Sequence, residues 1–150
     1  MGNLKRHEVA IAILYRGNKF LMQLRDDVPG ILYPGHWALF GGHIEPGEHP
    51  DAAVRRELLE EISYSPPVLT KFCCEEGEIA TRHVYYGQLE VELVGLVLGE
   101  GWDMALVTPE EIRRGDRYSS QANQVRPMGP PHQRLLLQFL EERSRLDADV

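Results

Sequence analysis

The stretch from Pro50 to Ser63 has room for one helix and little else. Proline is well tolerated in a first helical turn. Asp51 beside it suits the positive end of the helix dipole, and Pro66-Pro67 cannot continue the helix, so it stops by Ser63. On a helical wheel Val54, Leu58 and Ile62 fall on one side, with Leu59 and Ala52 beside them, and the glutamates occupy the opposite arc. The helix therefore has a core face and an acidic face, and the rest of the chain must supply a layer for the core face to cover.

That layer reads as a sheet. Val9 to Tyr15 and Lys19 to Leu24 are β-rich and flank Arg16-Gly17-Asn18, the pattern of a hairpin with a Gly-Asn turn. Asp26 to His36 holds Pro29, Gly30, Pro34 and Gly35 and reads as a loop. Trp37 to Phe40 reads as a short strand ending at Gly41-Gly42. Val68 to Cys74 and His83 to Leu93 form a second β region, which Val94 to Leu98 either extends or leads out of. Trp102 to Val107 reads as a further strand. Thr108-Pro109-Glu110-Glu111 is a capping box that opens a short helix ending near Gly115. Asp116 to Pro131 reads as a long loop of the kind that serves as a lid. Gln133 to Arg143 closes the chain as a helix with Leu136, Leu137 and Leu140 on its buried side. Strands and helices mix without strict alternation, so the fold class is α/β or α+β, with helices packed on a mixed sheet. A chain of 150 residues suits one domain, taken as residues 1–150.

A net charge of −7 disfavours the phosphate backbone of nucleic acid and anionic membranes as partners. No apolar run reaches the ~18 residues of a membrane span, and Met1 to Glu8 is polar and lacks the apolar core of a secretory signal. Cys73 and Cys74 are adjacent, a spacing unsuited to a long-range disulfide or a zinc site. They read as reduced thiols alternating across a strand in a cytoplasmic protein.

Glu57, Glu60 and Glu61 lie three and four positions apart, so they share one helix face with no base among them. The arrangement is costly. Glu57 and Glu61 are like charges at i and i+4, worth a few tenths of a kcal/mol against the helix. Glu60 and Glu61 stand at its negative end, at roughly 0.3–1 kcal/mol each. Arg56 relieves part of this by pairing with Glu60, but it cannot neutralise three acids. Taken alone, the three acids read as a solvated face. As clustered hard oxygens they suit Mg2+ or Mn2+, and a substrate that is itself a phosphate needs such a cation beside an acidic site. Upstream, Gly41-Gly42 lets the backbone approach a ligand closely, and Glu48 stands where it can fold back toward the acidic face.

The full spacing runs Gly42, five residues, Glu48, seven residues, Arg56-Glu57, an aliphatic, any residue, Glu60-Glu61. It strongly resembles the Nudix box of the Nudix hydrolases, matching every fixed position but one. The box covers Gly42 to Tyr64, and the surrounding strands and terminal helix follow an order like that of small Nudix proteins. The departures are Ser63, where the family has a glycine that ends the helix, and Phe40, where many relatives have proline.

The resemblance implies an α/β/α sandwich around a mixed β-sheet, with the box forming a loop–helix–loop metal site. It implies hydrolysis of a nucleoside diphosphate linked to another moiety, or of a nucleoside triphosphate, to a nucleotide and a phosphorylated product. The metal ligands implied are Glu57, Glu60 and Glu61, with the backbone carbonyl of Gly41, and Glu100 in the loop before Trp102 as a further candidate. Arg56 would orient the acids, and Glu48 and Glu57 remain alternatives for the base. Arg25 is a candidate phosphate contact. Relatives are often homodimers, and some Nudix folds bind nucleotides without cleaving them. Trp37, Tyr85 and Tyr86 could stack on a base but read first as core or sheet aromatics, and His43 and His83 lack metal-type spacing. No subfamily marker follows the box, so the substrate is not specified beyond a nucleoside diphosphate derivative.

Overall fold

The computed structural model describes residues 7–148. Met1–Arg6, part of the stretch read as free of a secretory signal, and residues 149–150 lie outside the described residues. The chain divides into two compact units. One comprises the chain through Tyr15 together with Phe40–Gly99, and the other comprises Arg16–Leu39 and the chain from Glu100 onward.

The first unit contains β1 (His7–Arg16), β4 (Phe40–His43), α1 (Pro50–Ile62), β5 (Thr70–Glu76) and β6 (Ala80–Gln88). β1 pairs in parallel with β6 and antiparallel with β4, and β5 runs antiparallel to β6. The sheet is thus mixed, as expected. Ala10 to Leu14 is buried without interruption, the pattern of a strand covered on both faces.

α1 occupies the span expected and buries Ala53, Val54, Leu58 and Ile62. Leu59 and Ala52 do not join that face, and Leu59 is 55% exposed. Each helical residue turns by about 100°, which carries Leu59 past the stripe set by Val54, Leu58 and Ile62. The helix ends at Ser63 in the left-handed region (φ 55°, ψ 34°), with its N–H donating to the Leu59 carbonyl. The left-handed helix exit is therefore made by serine rather than glycine, at a cost of about 1 kcal/mol. Two more carbonyls of the last turn are met by the loop after β6. Val97 N–H donates to Ile62 O at 3.3 Å, and Gly99 N–H donates to Glu61 O at 2.8 Å. The helix has no basic residue in its last turn, so these backbone donors take over the capping.

The second unit contains β2 (Lys19–Leu24), β3 (Trp37–Ala38), β7 (Asp103–Val107), α2 (Pro109–Arg114), β8 (Asp116–Ser119), β9 (Gln124–Pro127) and α3 (Pro130–Ala148). β2 lies between β3 and β7, antiparallel to both. Phe20, Met22 and Leu24 alternate into the core, where Phe20 meets Phe139 of α3 edge to face at 5.9 Å. The capping box forms as read: Thr108 Oγ1 accepts from Glu111 N–H, and Glu111 Oε1 accepts from Thr108 N–H.

Four expectations change. The strand read over Trp37 to Phe40 is two strands, broken at Leu39, whose N–H donates to His132 Nδ1 at 3.1 Å. Gly41-Gly42 does not end a strand but lies within β4. The span Asp116 to Pro131 is no open loop, because it holds the β8–β9 hairpin and the start of α3. Its turn is built from polar groups: Ser119 Oγ accepts from Ala122 N–H and donates to Asp103, and Asn123 takes a positive φ of 54°. In α3 Leu135, Leu136 and Phe139 are buried, whereas Leu137 is 37% exposed and Leu140 half-buried. Smaller shifts start β5 at Thr70 and β7 at Asp103, end β6 at Gln88, and make Leu93–Gly95 a single 3-10 turn.

Candidate active site

The site residues of the first unit are organised around Arg56. A tight turn at Glu45 to Glu48, closed by Glu48 N–H to Glu45 O at 2.9 Å, folds Glu48 back onto α1. Its carboxylate then takes a two-point bond from Arg56, Nε to Oε2 and Nη2 to Oε1, both at 2.9 Å. A planar guanidinium matches a carboxylate in this way and no other cationic side chain does. Arg56 also donates to the His43 carbonyl at 3.0 Å, to Glu57 Oε1 at 3.0 Å and, more loosely, to Glu60 at 3.4 Å. The pairing of Arg56 with Glu60 expected from the i+4 spacing exists, but it is the weakest of these contacts, and Glu60 is 59% exposed.

The three glutamates of α1 do not behave alike. Glu57 lies against the α-carbon of Gly42, where a Cβ would come within 2.6 Å of both carboxylate oxygens. Glu61 Oε2 accepts the Gly41 N–H at 3.1 Å. Glu60 faces outward. Among the described residues, no three His, Cys, Asp or Glu side chains converge closely enough to hold an ion as they stand. Each inner carboxylate is instead engaged by a protein donor.

The Arg56 bonds, followed by the Glu45 N–H, pull the Glu48 carboxyl down to about 2, and the bonds to Glu48 and then Glu57 raise the Arg56 pKa. A carboxylate with a lowered pKa contributes stability that is complete above its ordinary value of 4.5 and is lost as pH falls toward about 2. In urea titrations, wild type should therefore outlast Glu48→Gln above that ordinary value, and the gap between the two midpoints should close as pH falls toward the folded value. A gap that persists unchanged into acid would mean that the ion pair is not what Glu48 contributes.

Glu100 is exposed and begins the later segment of the second unit. Arg25 follows β2 directly; its N–H donates to His36 O at 3.0 Å and its side chain is half-buried. Of the aromatics weighed for stacking, Trp37 is fully buried with its Nε1–H on Arg117 O, and Tyr85 is buried. Burial pushes the Tyr85 hydroxyl up. Tyr86 packs edge to face on Phe72. His43 meets the ring of His7, and His83 Nε2 lies 2.8 Å from Glu8 Oε2. Cys73 and Cys74 are free thiols. No helix among the described residues is long and apolar enough to cross a membrane.

Three contributors escaped the sequence reading. His132 holds the break at Leu39, Gly99 caps the last turn of α1, and Trp102 stands under Arg126. Only Trp102 left a signal, as an aromatic beside the Gly99-Glu100-Gly101 loop.

A family model described as the NUDIX domain matches residues 5–137. The nucleoside triphosphatase NudI of Escherichia coli O1:K1 / APEC is 34% identical over 123 residues, which cover 73% of this chain and 86% of that protein. The MutT NUDIX hydrolase of Burkholderia pseudomallei aligns with a TM-score of 0.67 at 19% identity, over 89% of this chain and 97% of its own. The NUDIX domain of Shewanella oneidensis NrtR, complexed with ADP ribose, aligns with a TM-score of 0.68 at 18% identity, over 91% of this chain and 88% of its own. At these identities the structural likenesses bear on the fold.

Proposed function

This chain belongs to the Nudix hydrolase family, whose members hydrolyse phosphoric anhydride bonds, and from that premise we propose that it is a metal-dependent nucleotide pyrophosphohydrolase. Its substrate is a nucleoside triphosphate, or a nucleoside diphosphate linked to another moiety. The products are a nucleotide and a phosphorylated partner. The observation that carries this reading is the packing of Glu57 and Glu61 against Gly42 and Gly41, beside an arginine that ties Glu48, Glu57 and Glu60 together. The 34% identity to a nucleoside triphosphatase supports the triphosphate as the first substrate to try. The single match over residues 5–137 supports reading the chain as one hydrolase domain.

The donor set fits a hard divalent cation, since it consists of carboxylate and carbonyl oxygens. Glu57, Glu60 and Glu61 would hold Mg2+ or Mn2+, with the Gly41 carbonyl as a further ligand. When bound, such an ion neutralises the diphosphate, polarises a phosphorus–oxygen bond and lowers the pKa of water. Arg56 orients the acids. Both oxygens of Glu48 already accept from Arg56, so Glu48 is a positioning residue. Glu57, which takes a single bond from Arg56, is the better base for the attacking water. Two free thiols suit a reducing cytoplasm, and the net charge of −7 favours a small nucleotide over nucleic acid.

The test is a panel of nucleoside triphosphates, nucleotide sugars and dinucleotides with Mg2+ or Mn2+. Turnover of at least one is expected, and no turnover at high enzyme concentration would overturn the reading. A second reading, nucleotide binding without hydrolysis, draws on the likeness to the NrtR NUDIX domain complexed with ADP ribose. Tight Mg2+-dependent binding with no product would favour it.

A further inference from the structure

One face of the first unit's sheet carries a thiol, an imidazole and a carboxylate that Arg56 and its acids do not use. Residues paired across strands share a face. Gly42 of β4, against which Glu57 packs, pairs with Ala10 of β1, Ala10 pairs with His83 of β6, and His83 pairs with Cys74 of β5. Cys74 and His83 are therefore direct cross-strand neighbours, with Cβ atoms about 5 Å apart. Glu8 stands on the same face, two residues before Ala10 in β1. Cys73 points to the other face, opposite Val84.

His83 is half-buried, and its two ring nitrogens differ. Nε2 lies 2.8 Å from Glu8 Oε2. A carboxylate only accepts, so Nε2 carries the hydrogen, and the neutral ring leaves Nδ1 as a bare acceptor. That nitrogen is buried and has no hydrogen-bond partner among the described residues. A buried acceptor left without a donor is costly. On its own row Ala10 offers no side-chain donor, which leaves the Cys74 thiol. A cysteine turns about χ1 alone, and its rotamers stand about 120° apart, so the exposed Cys74 can swing Sγ toward Nδ1. A nucleophile, a base beside it and a carboxylate orienting the base make an activated thiol, and the first of these bonds is commonly loose before reaction.

We propose that Cys74 is a modification site for hydrogen peroxide, with His83 as its base and Glu8 holding the imidazole in the required tautomer. The thiol proton passes to Nδ1. The thiolate sulfur attacks one peroxide oxygen, and the S–O bond forms as the O–O bond breaks. The leaving hydroxide takes the proton back from His83 and departs as water. Sulfur loses two electrons to become the sulfenic acid, and the peroxide gains them. Cys73 does not compete, because the thiolate is the reactive form and burial, followed by Glu75, pushes its thiol up. The ionisable groups that share the face with Cys74 are Glu8 of β1, Lys71 and Glu76 of β5, and Tyr85 of β6. Asp51 of α1, paired with Arg55, acts on Tyr85 from above.

The experiment follows alkylation by iodoacetamide in Cys73→Ser, whose remaining thiol is Cys74, with intact mass as the readout. At neutral pH the folded protein should react at least about tenfold faster than the same protein unfolded in urea. Its rate should also persist below the ordinary thiol value of about 8.5. Adding His83→Phe should bring the folded rate down to the unfolded one. Under hydrogen peroxide, dimedone should trap a sulfenic acid on Cys73→Ser and none once His83→Phe is added. A folded rate no greater than the unfolded rate would overturn the proposal, as would a rate that drops tenfold per pH unit from about 8.5. So would a missing dimedone adduct, or alkylation indifferent to His83→Phe in a folded variant. The comparison of folded and unfolded Cys73→Ser leaves His83 in place, so it decides the matter even if the phenylalanine variant does not fold.

Discussion

Glu61→Gln lowers turnover of the preferred nucleotide by at least about 100-fold, the scale on which metal sites respond to altered ligation, while the fold stays intact. The substitution isolates charge from shape. Glutamine is nearly isosteric and still offers an oxygen to the Gly41 N–H, now held at 3.1 Å. The lost charge sits at the negative end of α1, one turn from Glu57, in a last turn without a basic residue. Removing it relieves repulsion, so thermal stability in the absence of metal should hold or rise by a few tenths of a kcal/mol. Steady-state rates at saturating Mg2+, read beside melting curves without metal, check both halves. Activity within threefold of wild type would remove Glu61 from the ligand set. A melting temperature that collapsed with the rate would reduce the residue to a structural role. Opposite movements of stability and activity are the signature of a residue kept for function at some cost to the fold.

The α1 region was legible because its signals agree. Proline at the start, apolar residues every fourth position and prolines beyond the end all give the same boundaries, and the observed helix keeps them. The capping box at Thr108 was legible for the same reason, as two reciprocal bonds encoded within four residues. Elements fixed by distant partners were not. The break at Leu39 depends on His132, far along the chain, and nothing near Leu39 encodes it. The β8–β9 hairpin is held by backbone pairing, a buried serine and an asparagine in the left-handed region, so it carries little apolar alternation. Leu59, read as lying beside the buried stripe, and Leu137, read as part of one, both stand outward. Within the candidate site, spacing identified the acids and the arginine. It could not show that Arg56 would grip Glu48 at two points and Glu60 only loosely, because that follows from the turn at Glu45 to Glu48.

Gly41, just before the box, and Gly42, its first residue, separate stability from activity. Gly41→Ala should destabilise the protein by about 3 kcal/mol. Gly41 has φ at +150°, and a Cβ there would run into the Ala10 carbonyl oxygen and lie 2.8 Å from the Ile11 α-carbon. Both are backbone atoms of β1, paired with β4 in register, so neither can move aside without breaking the ladder. Gly42→Ala meets something softer. Its Cβ would press on the Glu57 carboxylate, 2.5 Å from Cδ, and a side chain can rotate away. Destabilisation should then be only about 1 kcal/mol, whereas turnover should fall by about 100-fold, because a displacement near 1 Å at a reacting group costs that much. Urea unfolding and initial rates on the two variants form a crossed pair: Gly41→Ala loses mainly its fold, and Gly42→Ala loses mainly its rate. If Gly42→Ala retained full activity, the position of Glu57 against Gly42 would be incidental, and the base would have to be sought elsewhere on the helix.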